Sequence, residues 1–267
     1  MDYPPDSHPD LAAFRVERDG TCWWCGAVAD SQEHKYKRTD LARMQGDGPN
    51  LVWGGGEGRL HYVQSIRKSP AVRFEKDLCR RCNDTRSQPF DRAYETYSAY
   101  VWENAETLWG ASGLDMKAIF GADWKRKQLD LGRYFAKHFA SRMVLDGLPV
   151  PAGLLDFLNG STVAKNVRFC FTLDEGLWLL RKHGDPQGSP IHGLWLRPTM
   201  AWVSSDGKQL RGYETQSYVG YVGVAFAWFP EQEYLDSFFP HVRPVLNVVK
   251  ATDEMRQIID ELEASKG

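Results

Sequence analysis

Thr21-Cys22-Trp23-Trp24-Cys25-Gly26 and, 54 positions after Cys25, Cys79-Arg80-Arg81-Cys82-Asn83 decide how this chain begins to fold. Each stretch holds a Cys-x-x-Cys pair, and Gly26 can turn the backbone behind the first. A chain without a secretory leader keeps its thiols reduced, so two such pairs read as metal ligation before disulfide. Met1 to Pro9 is polar and proline-rich with no apolar core, and a cytoplasmic protein is expected. Two knuckles supply the four soft ligands of a tetrahedral zinc site. A closed four-Cys site is structural, so Cys22, Cys25, Cys79 and Cys82 are expected to hold Zn²⁺ as scaffold. The segment between the pairs is longer than a compact zinc ribbon needs, so useful chemistry is expected inside it.

Glu33-His34 follows Cys25 by eight residues, and Asn83 follows Cys82 directly. A clamp on the four cysteines would bring these segments side by side. A carboxylate, an imidazole and an amide oxygen would then surround one point. A hard ion such as Mg²⁺ prefers oxygen ligands and keeps several waters, so Glu33 and Asn83 would suffice to hold it. His34, from the other side of its strand, could deprotonate a water for phosphodiester hydrolysis. The plainer alternatives are a surface histidine for His34 and a helix N-cap for Asn83.

The run Cys22-x-x-Cys25, Glu33-His34, Cys79-x-x-Cys82-Asn83 resembles the HNH endonuclease family, with its zinc-stabilised ββα-metal fold, over about residues 20–102. The resemblance implies a DNA-cutting enzyme with a catalytic Mg²⁺ or Mn²⁺. It implies Glu33 and Asn83 as ligands of that ion and His34 as general base. The longer run Cys79 to Asp91, with Arg86-Ser87-Gln88-Pro89, resembles one branch of that family. The usual family pair is Asp-His, and Glu33 is one methylene longer. The family's middle Asn has no counterpart near Phe74. A role in defence against foreign DNA is an expectation from the family alone.

Charge supports a local rather than a global footprint. The net charge of the 267 residues is −2. Residues 59–86, however, hold Arg59, Arg67, Lys68, Arg73, Lys76, Arg80, Arg81 and Arg86 against Glu75, Asp77 and Asp84. With Lys35, Lys37 and Arg38 this makes a basic rim able to hold phosphates without reading sequence. Arg86, Lys35 and Arg81 are the expected substrate contacts, Arg86 first because it lies one helical turn after Asn83.

The rest reads as a packed domain. Hydrophobic residues make up 42%, and ten Trp supply core material. No apolar run reaches the length of a membrane span. Phe90, Tyr94, Tyr97 and Val101 mark one face of a helix beginning near Pro89. Leu131, Tyr134, Phe135, Phe139 and Met143 stripe a second over about 128–146. Residues 46–58 read as a glycine-rich loop. Residues 167–173 alternate as a half-buried strand, and 193–204 and 217–229 read as strands. Thr252 caps a last helix expected to bury Met255, Ile258, Ile259 and Leu262. His138 reads as a packed or surface residue, His183 and His192 match no metal template, Cys170 reads as structural, and Trp178, Trp195, Trp202 and Trp228 as core.

The expected fold is α+β. Residues 1–110 would be the HNH-like zinc-clamped domain, and 111–267 a mixed α/β domain with an antiparallel sheet serving specificity or assembly. DNA is the expected partner, with RNA as an alternative substrate and a protein partner or homodimer formed through the second domain. The rival reading is a non-catalytic zinc-stabilised module that binds nucleic acid or protein.

Overall fold

The computed structural model describes residues 9–45, 51–54, 60–63, 65–183, 192–232 and 241–264. The fold is mixed α/β with antiparallel sheets. In chain order the elements are β1 (Ser31–His34), α1 (Arg38–Gln45), β2 (Leu51–Gly54), β3 (Leu60–Val63), β4 (Arg73–Leu78), α2 (Gln88–Glu103), α3 (Met116–Phe120), α4 (Trp124–Leu145) and α5 (Ala152–Leu158). There follow β5 (Val167–Asp174), α6 (Glu175–His183), β6 (Leu194–Leu196), β7 (Met200–Val203), β8 (Leu210–Val219), β9 (Val222–Trp228), β10 (Leu246–Val249) and α7 (Asp253–Ala264).

The chain forms two compact units. One comprises Met1–Glu95, Asp130–Lys165 and Ala201–Gly212; the other Thr96–Leu129, Asn166–Met200 and Tyr213–Gly267. The units interleave along the chain, so they are drawn on different lines from consecutive halves meeting at residue 110.

In the first unit β1 pairs antiparallel with β4, His34 opposite Arg73. Successive strand residues face opposite ways, and Glu33 is buried. A π-helical turn, Arg81–Arg86, leads from the second Cys pair into α2. Strand, strand and helix thus succeed one another around the knuckles. The α4 stripe is buried as its spacing predicts, from Leu131 through Met143. Tyr134 stacks on Tyr94 of α2 with ring centroids 3.9 Å apart. Part of the expected 46–58 loop is strand, since Leu51–Gly54 pairs with Leu60–Val63. Residues 46–50 and 55–58 lie outside the described residues.

The largest sheet among the described residues runs β10-β5-β9-β8-β6, with β7 paired to β8. Only β10 and β5 pair in parallel among the pairings whose register is given; β5, β9, β8 and β6 are antiparallel neighbours. Val167, Phe169, Phe171 and Leu173 are all buried, as the alternation predicts. Thr252 does cap α7, its Oγ1 accepting from Met255 N at 3.2 Å. Ile259 is buried, but Ile258 is 45% exposed, so the apolar face of α7 is narrower than expected. The side chain of Leu262 lies outside the described residues. Trp202 is 48% exposed, and Trp178, Trp195 and Trp228 are only half-buried, so these four are not core. Among the described residues no helix is long and apolar enough to cross a membrane.

Candidate metal centre and adjoining polar site

The first knuckle is built by its own backbone. Cys22 N donates to Ala27 O at 2.6 Å and Gly26 N to Cys22 O at 2.8 Å. Gly26 takes φ +75°, where a side chain would be strained. Trp23 N then donates to Asp77 O at 3.1 Å, which fastens this knuckle to β4. Arg80 N donates to Asp30 Oδ1 at 2.7 Å, fastening the second knuckle to the approach of β1.

These ties bring the four thiols together. The sulfurs of Cys22, Cys25, Cys79 and Cys82 lie within 4.8 Å of one another. Cys25 Sγ and Cys79 Sγ are 3.6 Å apart. Zn–S bonds of about 2.3 Å span a tetrahedron with edges of about 3.8 Å, so the cluster is compatible with one zinc ion. The donors fit in chemistry as well. Burial pushes the Cys22 and Cys82 thiols up, while the Ala27 backbone N–H brings Cys25 down to about 7. A thiophilic cation is what makes four crowded sulfurs favourable, because it holds them as thiolates.

Arg86, expected at substrate, lies against this cluster instead. Its guanidinium covers the Trp24 ring at 4.4 Å. It donates to Asn159 Oδ1 at 2.6 Å and approaches Cys82 Sγ at 3.6 Å. Trp24 Nε1 donates to the same Asn159 oxygen at 3.0 Å. Arg81 is exposed, and Lys35 is half-buried with its backbone N bonded to Val72 O at 2.8 Å.

Asn83 is 7% exposed and sits inside the π-helical turn, so it is not a helix cap. Its Nδ2 donates to Ser31 Oγ at 3.0 Å, which places the amide beside β1 two positions before Glu33. Its Oδ1 is buried without a hydrogen-bond partner. Asn83 thus lies against the strand that carries Glu33 and His34.

His34 and Glu33 differ sharply in environment. The His34 ring bonds to the backbone of Ile66, and its Nε2 is buried without a partner. Burial, followed by the neighbouring Arg73 charge, holds its pKa below the usual histidine value. Glu33 Oε2, by contrast, accepts from Lys137 Nζ at 2.8 Å. Glu33 Oε1 lies 3.6 Å from His138 Nε2. Lys137 is fully buried, and also reaches Ser87 Oγ at 3.1 Å and Asp91 Oδ1 at 3.6 Å. Ser87 Oγ in turn donates to the Asn83 carbonyl. Burial works against the Lys137 charge, but Glu33 and Asp91 outweigh it and its pKa rises. Burial, reinforced by Lys137, drives His138 well below the usual value.

Lys137 and His138 are the site residues that sequence reasoning misses. His138 reads there as an unremarkable packed histidine, and Lys137 carries no motif. The available signal is positional: Lys137 falls three after Tyr134 and four before Ser141, on a face that is buried. A lysine on a buried stripe needs a partner. No protein-family model, no curated protein and no solved structure matches this chain.

Proposed function

We propose that this chain is an endonuclease that hydrolyses phosphodiester bonds in DNA, with zinc on Cys22, Cys25, Cys79 and Cys82 as scaffold and His34 as general base. One observation carries the reading: the His34 ring is held by the Ile66 backbone while its buried Nε2 has no partner. A general base must be uncharged and must offer a lone pair where the reacting water sits. The lowered pKa of His34 leaves it neutral at neutral pH. Arg73 and Arg38 supply positive charge beside the ring. His34 takes the proton from water, the oxygen attacks phosphorus, the bond to the leaving oxygen breaks, and that alkoxide takes a proton from solvent while His34 returns its own to solvent. The two guanidinium groups oppose the negative charge that gathers on phosphorus's oxygens. Zinc takes no part, because four cysteines leave it no open position.

The family resemblance also assigns Mg²⁺ or Mn²⁺ to Glu33 and Asn83. The unpartnered Asn83 Oδ1 suits such an ion. Glu33 does not, because the Lys137 ammonium already holds its carboxylate at 2.8 Å. The two-ligand site does not fit, and no step is routed through it.

The same Lys137–Glu33 pair favours the rival reading, a zinc-stabilised module that binds nucleic acid or protein and uses these residues only as architecture. Supercoiled-plasmid nicking separates the two, run on zinc-loaded protein with Mg²⁺, with Mn²⁺ and with neither. Nicking by wild type and not by His34→Ala is the expected result. Binding of nucleic acid with no cleavage of any DNA or RNA would establish the module instead.

A further inference from the structure

Lys137 is fully buried, and a single ammonium there meets three groups from three elements. Glu33 Oε2 comes from β1, Ser87 Oγ from the end of the π-helical turn and Asp91 Oδ1 from α2, at 2.8, 3.1 and 3.6 Å. Lys37 Nζ adds a second cation 3.1 Å from Asp91 Oδ1 and 3.6 Å from Glu95 Oε1. His138, beside Glu33 Oε1, is kept uncharged. Glu33 and Asp91 are thus matched by Lys137 and Lys37 without any added ion. A divalent cation on Glu33 would have to share the carboxylate with an ammonium 2.8 Å from Oε2 or displace it, and displacement would leave a buried charge with two partners.

We infer that Lys137 is a positioning residue whose ammonium serves as the resident cation of Glu33, so that Glu33 is the counter-ion of Lys137 and not a ligand of a divalent metal. The pair locks β1 to the turn that carries Asn83 and to α2. Glu33 directly precedes His34 in β1, so a fixed Glu33 limits how the strand can carry the His34 ring. The inference deepens the nuclease reading of the same site, yet its test reads ion binding and not cleavage, so the two fail separately.

The test uses the zinc-loaded full chain. In wild-type protein labelled with ¹⁵N at lysine, a buried, paired ammonium gives a slowly exchanging NH₃⁺ signal. That signal is expected to persist when Mg²⁺ is added to saturation. Mn²⁺ binding followed by electron paramagnetic resonance is expected to be unchanged between wild type, Glu33→Gln and the charge-free pair Glu33→Gln/Lys137→Met. Loss of the lysine signal on adding Mg²⁺ would overturn the inference. So would a fall in Mn²⁺ affinity of about tenfold or more in Glu33→Gln or in the charge-free pair, the size expected when a group supporting a metal is removed.

Discussion

His34 and Lys137 show how differently two basic side chains can be handled within one strand's reach. His34 is left with a free Nε2, whereas Lys137 has partners in three directions. Arg73 disfavours the imidazolium, so removing its charge stabilises the protonated ring and raises the pKa. The acid limb of the cleavage profile should therefore move to higher pH in Arg73→Gln, as read from initial rates across pH. Lys137→Met leaves Glu33 buried and unpaired, and should cost about 3–5 kcal/mol in urea unfolding. Glu33→Gln/Lys137→Met removes both charges and should recover most of that loss. Glu33, His34 and Asn83 were all legible from motif spacing. Lys137 was not, because no local pattern says where a lysine on a helix more than a hundred residues away will come to rest.

Among the elements, the two knuckles and the π-helical turn do most to shape the site. Local hydrogen bonds aim Cys22 and Cys25, and longer-range ties, among them Trp23 to Asp77, Arg80 to Asp30 and the β1–β4 pairing, bring the pairs together. A zinc ion held by the four cysteines would contribute its binding energy to the folding of this unit. Cys82→Ser should release zinc, measured by a chromophoric chelator, and broaden or abolish the cooperative thermal transition. The helices α2 and α4 were legible because their apolar stripes run for several turns. α3 and α5 escaped because five and seven residues are too few for a period to register. α6 did carry a signal. Asp174 caps it, with Oδ1 accepting from Leu177 N at 2.9 Å, and Arg181, Lys182 and His183 fill its last turn. The strand immediately before it obscures that boundary.

At the scale of the whole molecule, the charge that looked like a phosphate-binding rim is partly spent internally. Arg86 serves the cysteine cluster and Lys37 serves Asp91 and Glu95, while Arg67, Lys68, Arg80 and Arg81 remain exposed. A sequence shows how many cations a segment has, but not which of them folding consumes. Global stability should also carry the mark of His138. Its pKa is depressed in the fold from the usual 6.5, so the unfolded chain takes up the proton first. Its contribution is fully present above that value and is lost as pH falls below it. Urea midpoints should decline on acidification through this window, and the decline should be shallower in His138→Phe.

In the proposed mechanism a neutral His34, held near the cysteine cluster and the Lys137–Glu33 pair, activates the attacking water. The most direct test is the initial nicking rate of zinc-loaded His34→Ala relative to wild type, with zinc content and melting temperature measured on the same samples. A loss of about 100-fold to 10,000-fold at unchanged zinc content and melting temperature is the result this account predicts. Equal rates for the two proteins would contradict it.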